Sequence, residues 1–242
     1  MIIHSQAIIL RVIDYQESSK IITALTDSHG KIALIAKGAK RPKSKLAGVL
    51  EAGNILDVIF YYKSSRSVQT LTEASISYSS ATFRKDFARA SVLYASLELI
   101  AQLVHENELN EAVFEFSKNF IGWLGEVEKV DLSVFAYVQF RLAEINGIGL
   151  RINAADHQRE MYLNIASGNI SDKAEDDLSF KLTPKQSNFA VAALSGKSRS
   201  IFNTGLENGE LKQLVHHIDV YFKYHIDGYQ ERKSDAIFDQ ML

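Results

Sequence analysis

No cysteine occurs among the 242 residues. That absence excludes a disulfide framework, a thiolate zinc site, an iron–sulfur cluster and a cysteine nucleophile. Long apolar runs are missing too: stretches such as Ile32 to Ala36 end after about five residues, far short of the roughly 20 that a membrane-spanning helix needs. The opening residues, MIIHSQAIIL, carry neither a basic stretch ahead of an apolar core nor a small-residue cleavage site, so a cytoplasmic protein without membrane attachment is expected. There is no Walker-type phosphate loop and no serine nucleophile elbow. His216, His217 and His225 lack zincin spacing, and Glu175, Asp176 and Asp177 lack the surroundings of an EF-hand loop. The expectation is a protein with no catalytic set, no metal site and no cofactor.

What is present can bury a sizeable core, since 46% of the residues are hydrophobic and 23% charged. Lys and Arg total 27 against 29 Asp and Glu, a net charge of -2 that would argue against a polyanionic partner if it were evenly spread. It is not evenly spread. Residues 1–80 hold ten basic and six acidic residues, for +4, and the remainder holds 17 and 23, for -6.

Local pattern changes at the same place. Short β-branched or aromatic runs at Ile2 to Val12, Lys20 to Thr26, Lys31 to Lys37, Asn54 to Tyr62 and Ser67 to Thr72 read as five strands. Turns are expected at Asp27 to Gly30 and Lys63 to Arg66. After Ala81 the apolar spacing lengthens to three and four residues, in stripes beginning Phe87, Ala90, Tyr94, then Leu109, Val113, Phe116, then Leu132, Phe135, Val138. Asp131 reads as a helix cap, Gly147 and Gly149 as an exit, and Thr183 with Pro184 as a further helix start. The expected class is α+β: a five-stranded OB-fold β-barrel over residues 1–80, followed by an all-α helical domain over 81–242 with a cysteine-free connector at about 150–182.

Charge is densest in AKGAKRPKSKLAG, residues 36–48. Lys31, Lys37, Lys40, Arg41, Lys43 and Lys45 precede the next acid, Glu51, and Gly38, Pro42 and Ser44 mark an exposed loop able to meet phosphates. Arg66 flanks the turn between strands four and five, which borders the ligand face of oligonucleotide-binding barrels. Tyr15, in the loop after strand one, and Tyr61 with Tyr62, at the end of strand four, offer surfaces for stacking unpaired bases. Single-stranded nucleic acid is the partner class these residues fit best. An adaptor whose barrel binds an acidic peptide is the alternative.

The run YQESSKIITALTDSHGKIALIAKGAKRPKSKLAGVLE, residues 15–51, resembles the N-terminal signature of the bacterial RecO family, through Tyr15, Glu17, Ser18, Thr26, Gly30, Lys31, Lys37, Gly38, Ala39, Ser44, Gly48 and Leu50. FRLAEINGIG at 140–149 is similar to that family's third helix, and the segment with Lys233, Ser234 and Phe238 is similar to its C-terminal helix. The chain departs from the many relatives with a four-cysteine zinc module: Asn153 and Asp156 stand about where a first cysteine pair would be. The resemblance implies a non-enzymatic mediator at the nucleoid. It would bind single- and double-stranded DNA, anneal complementary strands, contact the acidic tail of single-strand-binding protein, and help load RecA together with RecR. DNA contact would fall to Lys37, Lys40, Arg41, Lys43 and Lys45, with Lys31 and Arg66 beside them, and Arg141 is a candidate for the partner's tail.

Overall fold

A computed structural model describes residues 1–153, 161–195, 198–235 and 238, so Asp156 and part of the expected connector lie outside the described residues. The chain divides into two compact units, Met1–Glu128 and Lys129–Leu242.

The first unit begins with five strands, β1 (Ile2–Tyr15), β2 (Ser19–Thr26), β3 (Gly30–Ala36), β4 (Ile55–Tyr61) and β5 (Val68–Tyr78), closed as a barrel in the order β1-β2-β3-β5-β4. Neighbours are antiparallel except β3 and β5, whose parallel register pairs Ala33 with Val68 and Ile35 with Thr70. Alternation puts Ala7, Ile9, Ile22, Ile32, Leu34, Leu56 and Phe60 inside the barrel, each 2% exposed or less. Tyr15 is a correction to the sequence reading. It lies in β1, not in a loop, because the β1–β2 hairpin pairs up to Tyr15 opposite Ser19 beyond a bulge between Ile9 and Arg11.

Helices α1 (Phe87–Leu103) and α2 (Glu111–Glu126) pack on β1. Beneath them the outer face of the barrel is apolar: Leu25, Ile8 and Ile55 are cross-strand neighbours outside the barrel interior, and each is 3% exposed or less. The α1 stripe holds in its later part, where its continuation to Leu97 and Val104 is buried, but not at its start: Phe87 and Tyr94 face solvent at 61% and 38%, while Val92, Leu93, Ser96, Leu99, Ile100 and Leu103 are also buried. This helix is apolar nearly all round, so period alone cannot choose its buried side. Arg89 ties the helices together: it is bonded to Asp86 at the start of α1 and donates to the carbonyls of Leu124 and Val127 at the end of α2. Gly30 has φ +63°, and a Cβ there would fall 1.8 Å from the Glu108 carbonyl oxygen in the α1–α2 connection.

The second unit contains α3 (Ser133–Ile145), α4 (Pro184–Leu194) and α5 (Asn208–His225). Thr183 and Gln186 close a capping box at the start of α4. Where an all-α domain with a connector was expected, the described residues between 151 and 182 carry a four-stranded sheet, β6 (Arg151–Ile152), β7 (Met161–Asn164), β8 (Asn169–Ser171) and β9 (Ser179–Leu182), in the order β6-β8-β7-β9. A thiolate zinc module does not fit here, for want of cysteine. The centre is the fully buried Asn164, whose Nδ2 donates to Asn169, Ser171 and the Lys173 carbonyl and whose Oδ1 accepts from Glu175 N and Ser179 Oγ.

On α5, His217 stacks on Phe180 at 4.2 Å between ring centroids, and its Nδ1 has no hydrogen-bond partner among the described residues. Burial, with the neighbouring His216, pushes its pKa down from 6.5 to about 4. Below pH 6.5 the unfolded chain takes up a proton that the folded ring refuses until about pH 4, so stability falls across that window and levels off beneath it. Partial exposure limits the expected loss to about 1–2 kcal/mol. Urea melts at pH 7 and pH 4.5 should show this loss, and His217→Phe, which retains the stack, should remove it; an unchanged pH dependence in the variant would assign the loss elsewhere. Farther along, the buried Arg232 guanidinium bonds Asp219, Asp235 and Tyr229 and lies 4.9 Å over the Phe135 ring, where Phe238 also packs.

Candidate nucleic-acid interface

The loop from Lys37 to Leu50 leaves β3 at the end where the β1–β2 hairpin turns, since Lys20 pairs with Ala36. It is a chain of short turns, with the amides of Arg41, Ser44 and Ala47 each bonded to the carbonyl three residues before. Gly38 starts the run at φ +71°, a conformation that favours glycine. Apolar residues scattered through the basic run anchor it: Ala39 and Leu50 are 1% and 2% exposed within the barrel core, and Leu46 and Val49 pack against that core. Burying a leucine contributes about 1.5–3 kcal/mol. The anchors turn inward and the charges outward, leaving Lys37, Lys40, Arg41, Lys43 and Lys45 exposed.

The loop is also tied to the hairpin. The Lys40 amide donates to the Ser18 carbonyl at 2.9 Å, and the Lys40 ammonium sits 2.9 Å from the Asp14 carboxylate. That hydrogen bond, with the nearby Lys40 and Lys20 charges, holds the Asp14 carboxyl below its ordinary range. Asp14 and Lys20 did not stand out in the sequence, because only the hairpin register brings them to the loop.

Other expected contacts stand apart. Lys31 is half-buried and its Nζ donates to the Ala101 carbonyl at 2.7 Å, in the last turn of α1, with burial pulling its pKa down. Its carbonyl accepts from Asn107 N, so Lys31 ties β3 to the helices and does not join the exposed cations. Arg66 is exposed, but the β4–β5 turn enters β5 at Val68 opposite Ala33, toward the Gly30 end of β3 and away from the basic loop. Tyr62 is half-buried against the barrel core, with its ring 4.4 Å from that of His29. Tyr15 and Tyr61 are 39% and 51% exposed. In the second unit, Arg141 is half-buried and paired with Glu144 on α3.

Two family models match the chain: Recombination protein O N terminal over residues 1–80, and Recombination protein O C terminal over residues 84–235. The chain belongs to the RecO family. A DNA repair protein RecO of Chloroherpeton thalassium is 29% identical over 100% of both chains. A DNA repair protein RecO of Salinibacter ruber is 35% identical over 61% of this chain and 56% of its own length. Another, of Pelodictyon phaeoclathratiforme, is 36% identical over 47% of this chain and 44% of its own. RecO membership places the chain among the recombination proteins of DNA repair, and the barrel with its basic loop lies in the part matched by the RecO N-terminal model.

Proposed function

We propose that this chain is a non-enzymatic recombination mediator that binds single- and double-stranded DNA through the loop from Lys37 to Lys45, anneals complementary strands, and helps load RecA together with RecR. It would act in the cytoplasm, at the nucleoid, on DNA coated by single-strand-binding protein, whose acidic tail it would contact. The observation that carries this reading is the set of five exposed cations on a loop whose apolar residues are fixed in the barrel core. Such an array exchanges condensed counterions for phosphates, and lowering the repulsion between two strands is what annealing requires. No bond is broken, so no catalytic group is needed.

Strand annealing should be measured on bare DNA, on DNA coated with full-length single-strand-binding protein, and on DNA coated with the tailless form. Annealing on bare DNA and the full-length coat, with loss on the tailless coat, is the expected result. Binding to the isolated acidic tail with no oligonucleotide binding at low salt would instead make the chain an adaptor.

The ion pair at the loop gives a finer expectation. Exposed pairs contribute little to stability, so Asp14→Asn should leave the loop in place while removing a negative charge beside it. Affinity for a single-stranded oligonucleotide should rise about 2- to 5-fold, with a steeper salt dependence. Weaker binding by the folded variant would mean that Asp14 is needed to hold Lys40 in position.

A further inference from the structure

We infer that the barrel holds DNA by its phosphates and leaves the bases unstacked, so that its ligand is an extended phosphate backbone with or without bases. This rests on the proposed DNA contact through the basic loop and specifies what that contact recognises.

No Phe, Tyr or Trp occurs between Tyr15 and Phe60, so β2, β3 and the whole basic loop lack an aromatic plane of these types. The outward face beside the loop is aliphatic instead: Ile13 pairs with Ile21, Ile21 with Ile35, and Ile35 with Thr70. Ile13 is 42% exposed, and Ile21, Ile35 and Thr70 are half-buried. Branched side chains of this kind present methyl groups, whereas sequence-tolerant binding of single strands usually draws on flat aromatic faces for successive bases.

The exposed tyrosines do not supply such a series. Tyr61 continues the same cross-strand row beyond Thr70, on β4, while Tyr15 ends β1 at the hairpin. Where the barrel closes, Tyr61 pairs with Ile2 at the start of β1, whereas Tyr15 lies at the far end of that 14-residue strand, too far for the two rings to take neighbouring bases. Tyr62 is held against His29 and the core. The loop cations therefore have the single ring of Tyr15 at the adjoining hairpin and no series of aromatic planes on β2, β3 or the loop itself. A strand held this way keeps its pairing edges free for a complement, and single and double strands can use one loop.

The test compares the full chain's affinity for a deoxythymidine oligonucleotide and for an abasic strand of equal length, with 2-aminopurine fluorescence in a third strand. The two affinities should agree within about 2-fold, with parallel salt dependence and unchanged 2-aminopurine emission, because stacking would add about 5-fold or more per base. Tyr15→Ala, Tyr61→Ala and Arg41→Lys should each stay within about 2-fold, the last because charge is retained while the planar guanidinium is lost. A tenfold deficit for the abasic strand, or a tenfold loss in a folded variant, would overturn the inference while leaving the DNA reading intact. If neither strand binds, the DNA reading falls and this inference with it.

Discussion

Residues 1–80 produced alone should fail to form a stable barrel, whereas residues 1–128 should unfold cooperatively. The reason lies on the outer face of the barrel, where Leu25, Ile8 and Ile55 form a buried row although they lie outside the interior. Without α1 and α2 this row meets water. At about 1.5–3 kcal/mol per side chain the loss is about 5–9 kcal/mol, comparable to the entire stability of a typical domain. Polar ties go as well: the Lys31 ammonium loses the Ala101 carbonyl, and the Lys31 carbonyl loses the Asn107 amide. Even the end of β5 is fitted to a helix, for a Cβ at Gly125 in α2 would fall 1.7 Å from the Tyr78 hydroxyl. We therefore propose that the folding unit carrying the basic loop runs to about Glu128, beyond the change in residue pattern near position 80. Circular dichroism melts and amide proton dispersion of the two fragments would decide it. A cooperative melt of residues 1–80 at the temperature of the longer fragment would contradict the proposal.

Replacing Lys37, Lys40 and Arg41 together by Glu should abolish annealing and lower affinity for single-stranded DNA by about 100-fold or more at low salt. Each substitution exchanges a phosphate-attracting charge for a repelling one. All three residues are exposed and the neighbouring anchors Ala39, Leu46 and Leu50 are untouched; Lys40→Glu also sets a carboxylate against Asp14, so the melting temperature should fall only slightly. Reversal of Lys63 and Arg66 is the informative control. These residues flank the β4–β5 turn at the other end of β3, and their loss should weaken binding far less than loss of the loop cations. Equal effects from the two sets would mean that DNA responds to the barrel's total charge and not to the loop.

The barrel was legible because its strands alternate strongly and are bounded by turn residues such as Asp27 to Gly30, and because every strand is long enough to show a period. The β6–β9 sheet was not. Its strands are two to four residues long, and its organising residue is a buried asparagine that in sequence looks like loop. The exposed cations of the basic loop were evident from composition alone, but Ala39, Leu46, Val49 and Leu50 stand at i, i+7, i+10 and i+11, a helical spacing that Gly38, Pro42 and Gly48 break into turns, so their role as anchors appears only in three dimensions. Lys31 shows the same limit from the other side: within the basic run it looks equivalent to Lys37, and a partner 70 residues away makes it structural. Tyr62 is drawn inward in like manner by His29.

The salt dependence of single-strand binding by the wild-type chain, measured beside the Lys37, Lys40 and Arg41 triple reversal, bears most closely on the proposed role of the loop. Engagement of about four phosphates gives a log–log slope near -3 for the wild type, flattened to about -1 or less in the variant. An equal slope in both proteins, with equal affinity, would place the DNA contact elsewhere on the chain.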